Sequence, residues 1–187
     1  MRGRRAGFSL MELVVVLGMV GLMVAIAVPR IDITGYRANS SLQVLGTTIL
    51  TAQRQALTQQ HDIIVRFDTV NLRLRVHQDR NNNGVVDSTE HIRSVPMIES
   101  ILFGRGDAPQ RGSLSLPISF TRRVSGDRAI IFHRDGSASE GGGFYLTSNK
   151  AMGVDSFPEH SRLVIVERST GRAAAYRYLG GAWTKVF

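Results

Sequence analysis

The spacing of apolar positions passes through three regimes along the chain. From Phe8 to Val28 the run FSLMELVVVLGMVGLMVAIAV is apolar on every side, with Glu12 its only charge. As a helix it is long enough to cross a bilayer core of about 30 Å. After Pro29 the pattern thins to one stripe: Leu42, Leu45, Ile49, Ala52 and Ala56 recur at steps of three and four, with Gln43, Thr47, Arg54, Gln55 and Gln59 between them. That spacing predicts an amphipathic helix with one buried face. A proline bends a helix without necessarily ending it, so residues 8 to about 60 read as one kinked rod, roughly 80 Å long at 1.5 Å per residue. Beyond Gln60 the runs IIVRF (63–67), LRLRVH (72–77), AIIFH (129–133), FYLT (144–147) and LVIVE (163–167) favour strands. The expected fold class is α+β, a long kinked N-terminal helix with a transmembrane first half, packed against an antiparallel β-sheet head domain. In the second strand Leu72, Leu74 and Val76 alternate with Arg73, Arg75 and His77, which predicts one buried and one solvated face. The glycines and small polar residues of RDGSASEGGG (134–143) read as a flexible hairpin connection.

At 187 residues the chain fits one globular domain with an appended helix. The expected divisions are residues 1–7, a membrane and assembly helix at 8–28, its amphipathic continuation at 29–60, and the head at 61–187. There is no cysteine, which excludes disulfides, thiol nucleophiles and cysteine-ligated metals. The formal charge is +8, and Arg2, Arg4 and Arg5, which precede the apolar run, supply three of those charges. Their loss would leave +5, a value that scattered surface charge accounts for. The same basic run favours an orientation with residues 1–7 in the cytoplasm and everything after Pro29 outside.

Glu12 distinguishes a plain signal anchor from something more specific. A carboxylate within a transmembrane helix costs roughly 2.5 to 3.5 kcal/mol, which calls for a partner or a function. A cut between Gly7 and Phe8 would create an α-amine four residues from Glu12, about 6 Å along a helix, and an amine on one subunit could then neutralise Glu12 on its neighbour. The alternative is a tolerated acid near the membrane surface.

The stretch GFSLMELVVVLGMVGLMVAIAVP resembles the class III signal of type IV prepilins: a short basic leader ending in Gly7, Phe8 after it, Glu12 fifth after the cut, and Pro29 where pilins commonly carry a kinking proline. The resemblance implies cleavage after Gly7 by a prepilin peptidase, N-methylation of Phe8, and assembly through Phe8, Glu12 and Pro29 with other pilin or pseudopilin subunits. It also implies a single-pass start in the inner membrane with a periplasmic or external head. The stretch from Arg37 to Phe67, followed by IIFHRDG and RLVIVERSTGR, resembles the GspH/FimT family of minor pseudopilins and minor pilins. Members have a β-rich head on the N-terminal helix and act in type II secretion pseudopili or type IV pili, with secreted cargo or DNA among the implied partners.

One local motif carries chemistry of its own. DRNNNGVVDSTE places oxygen-bearing side chains at positions one, three, five, nine and twelve, glycine at six and an apolar residue at eight, the spacing of a calcium loop. The candidate ligands are Asp79, Asn81, Asn83, Asp87 and Glu90, with the Val85 carbonyl at position seven. No cofactor is required by the assembly reading, and Ca2+ is the one this motif suggests. Against it, the flanks read as strands rather than helices, and an asparagine-rich run ending in Asn-Gly makes a good hairpin turn without metal.

The rival to a structural subunit is a DNA-binding minor pilin of an uptake pilus. Arg168, Arg172, Arg177 and Lys185, interleaved with Tyr176, Tyr178 and Trp183, could hold phosphates and stack bases. The other reading sends the three aromatic rings into the core and leaves the basic residues wet. Catalysis is not expected: His61, His77, His91, His133 and His160 are dispersed, and no nucleophile elbow or zinc-protease pair is present.

Overall fold

A computed structural model describes residues 7, 9–27, 33–154 and 156–187. The chain divides into two compact units, one ending at Ile33 and one running from Thr34 to Phe187. In the first, Ser9 precedes helix α1, Leu10–Ala27, and its side-chain oxygen accepts the Glu12 N–H at 3.2 Å. Such a cap satisfies one of the four backbone donors that a helix start leaves unpaired. At 1.5 Å per residue, the 18 residues of α1 span roughly 27 Å. Among the described residues no helix is long and apolar enough to cross a membrane. The expected bend at Pro29 falls on residues 28–32, outside the described residues.

Helix α2, Ile33–Gln59, starts at the boundary and from Thr34 onward belongs to the second unit; its Leu42, Leu45, Ile49, Ala52 and Ala56 are all buried, at 2% exposure or less. The predicted stripe is therefore the buried face. Two five-stranded antiparallel sheets follow, where the sequence suggested one. The first contains β1 (Asp62–Asp68), β2 (Arg73–Asp79), β3 (Ile92–Pro96), β5 (Arg123–Val124) and β6 (Asp127–Phe132), in the order β3-β2-β1-β6-β5. The second contains β4 (Ile101–Phe103), β7 (Gly142–Ser148), β8 (Arg162–Val166), β9 (Ala173–Leu179) and β10 (Ala182–Lys185), in the order β10-β9-β8-β7-β4. One apolar core joins the α2 stripe to Ile63, Val65, Phe67, Leu74, Ile130 and Phe132 of the first sheet and Phe144, Leu146, Val164, Val166 and Ala175 of the second. Phe67 lies at its centre, 5.3 Å from the Phe120 ring and 5.1 Å from that of Phe144.

Residues 134–141 form the expected tight turn, with Phe132 and Ala138 in an antiparallel bridge and Ser139 N–H donating to Ile131 O at 2.8 Å, but the strands β6 and β7 on either side of them do not pair as a hairpin. The connection carries the chain from β6 in one sheet to β7, which starts at Gly142, in the other. Glycine is needed at 136, where φ is +86° and a Cβ would stand 3.0 Å from Leu57 Cδ2, and again in the loop that packs on this turn: Gly171, at φ +61°, has Gly136 O only 2.2 Å from where a Cβ would stand. Local composition announces a turn, but not whether the strands on either side pair.

The solvated face expected of β2 is also corrected. Arg73 and Arg75 are half-exposed, but His77 is fully buried. It lies opposite Ile64 on β1, on the sheet face away from the main core, where Ile64, Val124, Ala129 and Ile131 form a second apolar cluster. Alternation places His77 on that face correctly. It says nothing about what covers the face.

Candidate functional site

The described part of α1 has an unusual surface. Thirteen large apolar side chains, from Leu10 to Ile26, are each at least 47% exposed. They average about 60% exposed, so burying what remains uncovered would be worth roughly 12 to 24 kcal/mol at 1.5 to 3 kcal/mol per fully buried side chain, far more than a water-soluble monomer leaves uncovered. Glu12 is the only charge among them. It occupies the first turn of α1, where the helix dipole favours an acid. Ser9, its capping partner, was not singled out from the sequence, although Ser-x-x-Glu before an apolar run is a recognised helix-start signal. Gly7 is exposed, with open space where a Cβ would stand. Phe8 and Pro29 lie outside the described residues.

The Asp79–Glu90 loop joins β2 to β3 on the first sheet. Asp79, at the end of β2, is fully buried; its Oδ1 accepts the Asn83 N–H at 3.0 Å and its Oδ2 the Gly84 N–H at 2.7 Å. Asn82 and Gly84 take positive φ, +55° and +72°, which curls the loop so that these N–H groups point inward. Asn81 Oδ1 accepts the Asn83 N–H at 3.2 Å, and Asn83 Oδ1 the Val85 N–H at 2.8 Å. Both amide nitrogens donate to Asp87 Oδ2, at 2.8 and 3.0 Å. Glu90 folds back so that its Oε2 accepts the Asp87 N–H at 3.2 Å. Its other oxygen, Oε1, is buried without a hydrogen-bond partner. Burial raises the Glu90 carboxyl above the usual range; the Asp87 N–H opposes this, and the Asp79 and Asp87 charges add to it. Val86 packs on Ile64, Val124, Ala129 and Ile131 and so fastens the loop to the outer face of the sheet. Among the described residues no group of three or more His, Cys, Asp or Glu side chains is placed to hold a metal ion.

The basic C-terminal residues are all exposed but are not brought together. Arg168 and Arg172 flank a tight turn closed by Gly171 N–H to Glu167 O at 2.9 Å. Arg177 and Lys185 lie on opposite faces of the second sheet, because Arg177 pairs with Thr184 and Lys185 with Tyr176. The aromatic residues do alternate to one face, but it is the face away from the core. There the Trp183 ring lies 5.4 Å from Tyr178 and 5.7 Å from the buried Tyr145, and its indole N–H donates to Pro109 O at 2.9 Å. Tyr176 is covered by the Arg111 guanidinium at 4.0 Å. These rings are occupied by the protein itself.

The tertiary structure also unites Ser148 and His160, which the sequence did not pair: Ser148 Oγ lies 2.8 Å from His160 Nδ1. Both are almost completely buried. Ser148 Oγ also accepts the Ala151 N–H at 3.1 Å, so it ties β7 to the short helical turns around it and offers no surface to a substrate.

A long helix whose apolar stripe packs on two antiparallel sheets defines the pilin-like α+β class. Within that class the fold matches the minor pseudopilin EpsH of the type 2 secretion system of Vibrio cholerae, with a TM-score of 0.50 and 14% identity over 75% of this chain and 97% of that one. A second structure of the same pseudopilin aligns with a TM-score of 0.45 and 16% identity, over 74% of this chain and 92% of the other. No protein-family model matches the sequence, and neither does any curated protein.

Proposed function

We propose that this chain is a minor subunit of a type II secretion pseudopilus or a type IV pilus, with an assembling and non-catalytic role. The observation that carries the reading is α1: a helix apolar on all sides with one acid in its first turn, on a chain whose head has the EpsH-like fold. Such a helix needs an apolar environment, first a bilayer and then the helices of neighbouring subunits. Prepilin peptidase would cut after Gly7, and Phe8 would be N-methylated. Glu12 would pair with the terminal amine of an adjacent subunit, a contact favoured where water is scarce. The head would lie on the periplasmic or external side of the inner membrane. The likeness to EpsH favours the secretion pseudopilus over the pilus. Scattered Arg168, Arg172, Arg177 and Lys185 give the DNA-binding alternative no continuous strip.

The intact mass of membrane-extracted protein tests this. A chain starting at methylated Phe8 is expected, and a Glu12→Ala variant should be cut equally well yet be depleted at least about tenfold from sheared filaments, as for loss of a buried ion pair. A wild-type chain that keeps residues 1–7 in its native host would show a simple anchored protein instead.

A further inference from the structure

We propose that the cavity between α2 and the end of the second sheet docks the phosphate headgroup of an anionic phospholipid. The cavity, of about 260 Å3, is lined by Asn39, Leu42, Gln43, Arg177, Val186 and Phe187. Two arginines meet beside it with no acid between them. Arg162 on β8 and Arg177 on β9 are register partners, and like charges directly across a strand pair are unfavourable. Arg162 is 5% exposed, yet its acceptors are all neutral: Nε donates to Asn39 Oδ1 at 2.8 Å, and Nη1 to the Glu159 and Ser161 carbonyls. Burial, then the Arg177 charge, lower its pKa to about 10, with Glu159 opposing. Arg177 is exposed and forms part of the cavity wall. The ion pairs of the described residues are those of Arg66, Arg73, Arg75 and His133, so neither of these two guanidiniums is in one. A buried cation beside a second, unpaired cation is relieved by an anion placed next to both.

The rest of the wall and the tether to α1 select which anion. Leu42, Val186 and Phe187 are apolar, and Val186 and Phe187 remain 50% and 37% exposed. A free phosphate gains nothing from them, whereas the carbons next to a lipid headgroup do. The Arg177 fork suits two phosphate oxygens, and the Asn39 and Gln43 amides add neutral polar groups. The cavity is smaller than the roughly 300 Å3 at which sites for whole ligands begin, so the acyl chains stay in the bilayer. Residues 34–187 carry 19 basic and 13 acidic side chains, a net +6, which disfavours a second copy here and favours an anionic surface. Asn39 follows Ala27, the end of α1, by twelve residues. Even fully stretched, that chain keeps the cavity within about 40 Å of a bilayer that holds α1, which gives headgroups a high effective concentration. The site thus rests on the reading of α1 as a bilayer helix, and adds to it a contact that holds the head against the membrane before assembly.

The test is native mass spectrometry of the full chain in dodecyl maltoside micelles with added phosphatidylglycerol or phosphatidylcholine, with thermal unfolding of the same samples. The wild type should carry about tenfold more phosphatidylglycerol than phosphatidylcholine and unfold at a higher Tm with it. Arg177→Gln should remove the preference, and so should Gln43→Glu, which gives Arg177 a carboxylate of its own. Both residues are exposed, so both variants should keep the wild-type circular dichroism spectrum. Arg172 is an exposed arginine outside the cavity, and Arg172→Gln should keep the preference. Because α1 is identical in all four proteins, lipid bound along it cancels. Equal binding of the two lipids by the wild type overturns the site, as does a preference kept in either folded cavity variant or lost equally in Arg172→Gln. Inorganic phosphate that displaces phosphatidylglycerol at equal concentration overturns the lipid in favour of a free anion. Methylated Phe8 at the start of the native chain with no lipid preference retires this site alone, whereas an uncut chain retires the assembly reading.

Discussion

His77 is a residue whose environment reverses its expected behaviour. It is fully buried with neither ring nitrogen hydrogen-bonded, and burial, then the Arg66 and Arg75 charges, lower its pKa to about 4, with Asp127 opposing. The folded state therefore holds the imidazole neutral, while the unfolded chain takes up a proton near pH 6.5. Between those values the unfolded state binds more protons, so stability falls as pH drops from about 6.5 toward 4, by up to about 3 kcal/mol. Denaturant midpoints measured across this window should decline in the wild type and flatten in His77→Phe. Asp68 acts in a lower window. Burial alone would raise its carboxyl, but hydrogen bonds from Asn71 and Arg75 outweigh burial and hold it well below the usual range. Its contribution is present above about pH 4 and lost below it. Period-two reading of LRLRVH put His77 with the arginines, as observed. It could not show that Ile64 and its neighbours build an apolar patch on that side, because those residues come from β1, β5 and β6.

Helix α2 holds the head together, and its stripe was readable because a 3.6-residue period is a local property of the chain. Leu45 is fully buried among residues from both sheets, whereas Val44 beside it is 42% exposed. Leu45→Ala should cost about 2 to 5 kcal/mol and Val44→Ala under about 1 kcal/mol, read from urea unfolding with an unchanged m-value. The end of the chain is bound to the same helix. Phe187 Cζ stands 2.6 Å from the position a Cβ at Gly46 would take, and Ala175 N–H donates to Phe187 O at 3.1 Å. Nothing local in the sequence links residues 46 and 187, so that contact belongs to the tertiary structure alone.

For the molecule as a whole, the two units ask for different solvents. The unit from Thr34 to Phe187 encloses its own core, whereas α1 exposes apolar side chains throughout. A chain beginning at Thr34 should fold as a monomer in water with a single cooperative transition, while the full chain should need detergent or lipid to avoid association. Gel filtration with light scattering checks both; a truncated chain that aggregates would mean that the head needs α1 to fold. By itself the sequence determined the apolar N-terminal run with its lone acid, the buried stripe of α2, the central strands and the oxygen spacing of the Asp79–Glu90 loop. All of these are set by residues near one another in the chain, where helix and strand periods act. Only the tertiary structure decided that the strands form two sheets, that residues 134–141 pass between them, that His77 is sealed from water, and that Glu90 keeps an unpartnered oxygen. Each of those depends on which distant segments meet, and backbone pairing and burial record no trace of that choice in the local pattern.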